Sequence, residues 1–217
     1  MLDERKLKES KINVGRLVRD KDIIKGGIGK FVEFFLDNAR NSIDSASLLF
    51  NVSTNKELKE SAGFPGFNGY LWVINASYYS MFYTVRALLE SEGIKIKTEQ
   101  SVHKVVFDVL VYYFYLNGKI EKIMVEEFQE AGEEASEVLA REKAKELVEN
   151  YLYEKGKRGR FTYEMGEVAM KNKAETSLER ARKFNEEIRK MLEFGKEKNG
   201  LGVGDMDSKK ERDGMRR

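Results

Sequence analysis

No charged residue occurs between Ala62 and Val85, in a chain in which 35% of residues are Asp, Glu, Lys or Arg. The inner part of this run, with the residues after it, reads YLWVINASYYSMFYTVRALLE from Tyr70 to Glu90. At helical spacing Trp72, Ala76, Tyr79, Tyr83 and Arg86 form one line, and Ile74, Tyr78, Met81, Val85 and Leu88 form another. A helix that is apolar around its whole circumference is buried on most sides, so the segment predicts the central helix of a bundle. Its length would also suit a membrane span, for which about 20 apolar residues suffice. Asn68, Asn75, Ser77, Ser80 and four tyrosines oppose that reading, and no second span exists for it to pack on. We therefore expect no membrane partner.

The 217 residues are enough for one sizeable core with appendages. One proline and long runs of Glu, Lys, Leu and Ala predict an all-α fold. With no cysteine there is no disulfide and no thiolate chemistry, and with one histidine, His103, an imidazole-based metal site or triad is not expected. No cofactor and no metal are expected. The many Lys and Glu beside only two glutamines, Gln100 and Gln129, resemble the composition of proteins from hot environments. Met1 to Asp20 has no apolar core of the signal-peptide kind, so the expected location is cytoplasmic.

Residues 1–30 carry nine basic and five acidic side chains and predict a basic helical arm, ending near Gly26-Gly27 and docking loosely. Residues 31–194 hold the bundle. An amphipathic helix over Lys30–Phe50 comes first, with Phe31, Phe35, Asn38, Ser42, Ser45 and Leu49 near one face. A loop over 51–69 follows, with a possible short helix and a turn that Phe64 and Phe67 are expected to order. The central helix stops at Gly93, residues 94–98 connect, and Thr98 is positioned to cap a helix over Glu99–Leu116. An acidic helix spans Glu121–Glu154, with eleven acids against four bases. The sign then reverses in Lys155-Gly156-Lys157-Arg158-Gly159-Arg160, before a last helix from about Met165 to Phe194. Residues 195–217 hold almost no large apolar side chains and are expected to form a disordered tail.

The words ASYYSMFYTVRALLESEGIKIKT at 76–98 resemble the Tyr-Tyr-x-Met-Phe-x-x-x-Arg-Ala-Leu-Leu-x-x-x-Gly run of the HEPN family, compact helical domains of archaea and bacteria. Phe107, the Leu116-Asn117-Gly118 helix end, an arginine-to-tyrosine turn and the closing helix with Ala181 and Phe184 extend the likeness over roughly 31–194. The resemblance implies a bundle of about five main helices, a homodimer, and a nucleotidyltransferase as protein partner in a toxin–antitoxin or defence system. It also implies, for many members, a metal-independent ribonuclease built on an arginine followed four to six residues later by histidine. Here Arg158 is followed by Tyr163 in RGRFTY, with no histidine near, as the resemblance leads one to expect of short members.

A phenol with a pKa near 10 is a poor base at neutral pH. Arg158, Arg160 and Lys157 can hold phosphate, and Tyr163 can stack on a base or donate a hydrogen bond. The turn is thus a candidate nucleotide or RNA site, with no catalytic residue assigned. The alternatives are a plain structural turn, a ribonuclease using Arg158 with Tyr163, or a structural dimeric adaptor. His103 is expected to be a satisfied, partly buried histidine. Arg86 and Tyr79 are expected to be buried or groove-facing, and Arg86 needs an acid or carbonyl partner, which Asp37 or Asp44 could supply. The glutamates at 126, 127, 130, 133, 134 and 137 are expected to form a solvated face. The aromatic central and third helices are the expected homodimer surface.

Overall fold

The computed structural model describes the backbone of residues 2–27, 29–98, 101–153 and 160–198, with the side chains of all these except 141–153, 160–168 and 196–198. In chain order the elements are α1 (Glu4–Arg19), β1 (Ile23–Lys25), α2 (Val32–Thr54), α3 (Lys56–Ser61), α4 (Tyr70–Ser91), β2 (Ile94–Ile96), α5 (Val102–Leu110), α6 (Lys122–Tyr153) and α7 (Arg160–Lys198). The fold is an all-α bundle with one short ribbon. None of the described helices is long and apolar enough to cross a membrane.

The uncharged segment forms α4, and fifteen of its residues are buried. Its neighbours are arranged around it in turn. α2 runs antiparallel beside it, pairing Phe50 with Tyr70 at 6.2 Å and Phe35 with Tyr83 at 6.4 Å between ring centroids. Ala39 and Ala46, both fully buried, are small enough to let the two helices approach. α7 runs parallel to α4, with Asn185 Nδ2 donating to Ser80 Oγ at 3.1 Å and Leu178 packed in one cluster with Ile74. α6 crosses under Tyr78, whose ring lies against Phe128 at 5.9 Å. Gly132 makes that approach possible, since a Cβ there would come within 3.1 Å of the Tyr78 ring.

Several local features differ from the sequence reading. α1 ends at Arg19, well before Gly26-Gly27, and Lys21 turns the chain at φ 62°. The residues that follow form β1, which pairs antiparallel with β2 in the register Ile23↔Ile96, Ile24↔Lys95 and Lys25↔Ile94. The segment 94–98 is thus partly strand, because β-branched side chains from a distant part of the chain meet it. Gly93 ends α4 as expected, at φ 71°, and the ribbon adds a second demand for glycine. A Cβ there would stand 2.8 Å from the carbonyl oxygen of Gly27.

The N-terminal helix is not loosely docked. Val14 and Leu17 are buried, and Ser10 Oγ donates to Asp108 Oδ1 at 2.7 Å while Asn13 Nδ2 donates to Oδ2 at 3.1 Å. Thr98 does not cap α5; Ser101 precedes the helix at φ 51° and makes no side-chain cap bond. α5 continues as a π-helical turn over Val111–Tyr115, and Asn117 Nδ2 donates to the carbonyls of Tyr112 and Tyr113 at 3.0 and 3.2 Å. The amide thereby satisfies carbonyls that the changed winding leaves without helical partners. Phe64 does not order the loop before α4: it is 66% exposed, and Phe67 alone packs back, over Gly69. The tail over 199–217 lies outside the described residues, and α7 extends past Phe194 to Lys198.

Candidate functional site

Lys157 and Arg158 lie outside the described residues, as do the side chains of Arg160 and Tyr163. Arg160 opens α7 and Tyr163 sits in its first turn, so the run joins the two antiparallel helices α6 and α7.

Among the described residues, polar and aromatic groups converge along the one line of α4 that its neighbours leave uncovered. Trp72 is 58% and Tyr79 39% exposed, while Ala76, Tyr83 and Arg86 are partly exposed. The sequence makes this line apolar and so marks it for burial. It stays open because α2, α7, α6 and α5 occupy the other sides. Arg86 is partly exposed, and neither Asp37 nor Asp44 is its ion-pair partner. Asp37 pairs with Arg40 at 3.3 Å, on the far side of α2. The Arg86 guanidinium instead lies 4.6 Å over the Phe35 ring, a cation–π contact. Burial lowers its pKa, and the charge of Glu90, one helical turn on, offsets part of this. Glu90 itself is buried, with Oε1 lacking a hydrogen-bond partner among the described residues.

His103 stands beside this line at the start of α5. Its ring packs on Phe82 at 4.5 Å, Tyr78 at 5.5 Å and Tyr79 at 5.6 Å between centroids, while an edge remains exposed. The Tyr78 hydroxyl lies 2.8 Å from Nδ1. Burial raises the Tyr78 phenol above its ordinary value of 10.0, so it is protonated at neutral pH and able to donate to Nδ1. Desolvation lowers the His103 pKa below 6.5, which favours the neutral ring. A neutral ring accepting at Nδ1 carries its proton on Nε2. The exposed edge then offers an N–H donor, not the lone pair that a general base needs.

The glutamates of α6 are not a purely solvated face. Glu134 accepts from Arg180 at 2.8 Å and from Ser177 Oγ at 3.2 Å, and Glu130 lies 3.4 Å from the same guanidinium. Glu137 meets Lys173 at 3.4 Å, and Glu126 accepts the Leu2 amide at 2.9 Å. The acidic run therefore fastens α6 to α7 and to the N-terminal segment. Among the described residues no group of three or more His, Cys, Asp or Glu is arranged to hold a metal.

Two residues that matter here escape a reading of the sequence. Asp108 sits in a strongly apolar helix and is 2% exposed, taking hydrogen bonds from Ser10, Asn13 and Lys104. An acid inside the stripe Val105, Val106, Val109 was a visible signal for a buried partner. Arg180, between Leu178 and Ala181, carried the same signal. No protein-family model matches this chain, and neither a curated protein nor a solved structure is significantly similar to it. The likeness to HEPN proteins thus rests on the residues quoted for it.

Proposed function

We propose that this chain is a HEPN-like binding module that holds a phosphate-bearing ligand, a nucleotide or RNA, at the 155–163 segment leading into α7, without cleaving it. The observation that carries the second half is the 2.8 Å contact between the single imidazole and the Tyr78 hydroxyl. With the Tyr78 hydroxyl donating to Nδ1, His103 carries its proton on Nε2 and does not offer there the base that 2′-hydroxyl attack requires. The first half is supported by the charge of the turn. Four bases in six residues follow a helix whose described acids are largely taken by α7 and the N-terminal segment. Arg158 and Arg160 are suited to paired hydrogen bonds with phosphate oxygens. A nucleotidyltransferase protein is the partner class that the family resemblance suggests.

The test is binding of a labelled oligoribonucleotide by anisotropy across a salt series. Removing two phosphate contacts with Arg158→Ala and Arg160→Ala should weaken binding and flatten the log–log salt slope by about 1.4 for a single strand. The thermal midpoint should stay nearly unchanged. Equal binding by the double variant makes the turn structural and ends the proposal. Degradation of the RNA by the parent, abolished in Tyr163→Phe, would establish the ribonuclease reading in its place.

A further inference from the structure

We infer that the cleft between α2 and the second half of α7 binds a small amino dicarboxylate, a molecule with two carboxylates and one ammonium group. The inference does not rest on ligand binding at the 155–163 segment, since about 33 Å of helix separates Arg160 from Arg182. The cleft has a volume of about 460 Å³, within the range of small-molecule sites. Ile43 of α2 supplies an aliphatic wall, and Arg182, Asn185 and Arg189 of α7 stand opposite. At spacings of three and four these three residues form one line, with Asn185 one turn from each arginine.

Asn185 is the buried member of the lining, 4% exposed where the others are exposed or half-buried. Its Nδ2 donates to Ser80 Oγ of α4 at 3.1 Å, but its Oδ1, also buried, has no hydrogen-bond partner among the described residues. An acceptor in that state forfeits a bond it would make to water, and a donor seated in the cleft restores it. Arg182 closes one end, with Nη2 donating to Ser47 Oγ of α2 at 2.9 Å. A guanidinium has five N–H groups, so this bond anchors the side chain and leaves donors over. Arg189 makes no hydrogen bond or ion pair among the described residues, and neither does Glu193 on the same rim. Lys190 is already engaged, meeting Glu186 at 3.2 Å and Glu187 at 2.7 Å.

Two guanidiniums are therefore open to acids, and the Asn185 acceptor with the Glu193 carboxylate is open to a cationic donor. Once Lys190 and Glu186 have cancelled, Arg182, Arg189 and Glu193 leave the lining with one net positive charge. An amino dicarboxylate carries one net negative charge and the same three kinds of group in reverse. Guanidiniums hold carboxylates through paired hydrogen bonds. A ligand whose two carboxylates engage Arg182 and Arg189 has its ammonium between them, over Asn185. A simple dicarboxylate or a phosphate dianion would satisfy the arginines and bring no donor for Oδ1.

The test is titration of the full chain, labelled with nitrogen-15, with L-glutamate and L-aspartate, followed by proton–nitrogen spectra. At least one of them should bind with a Kd below about 1 mM, shifting the amides of residues 182–193. Taking L-glutamate as the tighter probe, glutarate lacks its ammonium and L-glutamine its second carboxylate, and each should bind at least about tenfold more weakly. Arg189→Ala should weaken binding by a similar factor. The thermal midpoint should be retained, because Arg189 is exposed and holds no described residue. Lys183→Ala removes the same charge from the α6 side of α7 and should leave the affinity unchanged. Failure of both amino dicarboxylates to bind overturns the inference. So does glutarate or inorganic phosphate binding as tightly as the amino dicarboxylate, which would make the cleft a plain anion site. Equal binding by Arg189→Ala and the parent overturns it too.

Discussion

Replacing Tyr78 by phenylalanine removes one oxygen and leaves the ring that packs on Phe82, Phe128 and His103. What is lost is the 2.8 Å bond to His103 Nδ1. A hydrogen bond of this kind contributes on the order of 1 kcal/mol, and here it acts on only one of the two neutral tautomers. Its removal should therefore change the tautomer ratio about fivefold. Because the chain has a single histidine, long-range proton–nitrogen correlation reads the ratio without assignment. Above the titration the parent should show Nε2 with the shift of a protonated nitrogen and Nδ1 with that of a bare one. In Tyr78→Phe the two shifts should move toward each other. The apparent pKa is a poorer readout, since the phenol oxygen can also accept from a protonated Nδ1. If the parent carries its proton on Nδ1, or if the ratio is the same in both proteins, the argument fails. His103 would then present a lone pair to solvent, and the case against cleavage would lose its main support.

Other outcomes follow from the same contacts. Asp108→Ala should cost about 3 kcal/mol in urea unfolding, because Ser10 and Asn13 lose a charged acceptor. Amide exchange in α1 should rise with it, and a double-mutant cycle with Ser10→Ala should be clearly non-additive. Gly93→Ala should destabilise by about 1–3 kcal/mol through its positive φ and the Gly27 carbonyl, measured by thermal melting. Stability should also fall in acid through His103. Its folded pKa lies below 6.5, so the unfolded chain takes the proton first; the contribution is complete above 6.5 and is lost as pH falls through the folded value. His103→Gln should remove that part of the pH dependence of the urea midpoint.

The order of helices, their rough limits and the central place of α4 were legible because each depends on local pattern. The apolar run, the Val105–Val109 stripe and the glycine after Glu92 act within one or two turns of themselves. The candidate site was less legible. The sequence reading gave Arg86 an acid or carbonyl partner from the first bundle helix, whereas its neighbours are the Phe35 face and Glu90. Helical spacing lists the residues on each side of a helix without saying which side a neighbouring helix will occupy.

That limit separates what the sequence determined from what only the tertiary structure decided. The absence of charge from Ala62 to Val85, with helical periods on either side, determined an all-α bundle with one helix at its centre. Which line of that helix would stay open was decided by the packing of α2, α5, α6 and α7, which left Trp72, Tyr79 and Tyr83 uncovered. The β1–β2 ribbon, the burial of Asp108 under Ser10, and the Tyr78 bond that sets the His103 tautomer were decided there too. Each joins residues far apart in the chain, and such pairings gain free energy only after the intervening chain has been ordered. The backbone propensities of the residues themselves therefore carry no trace of them.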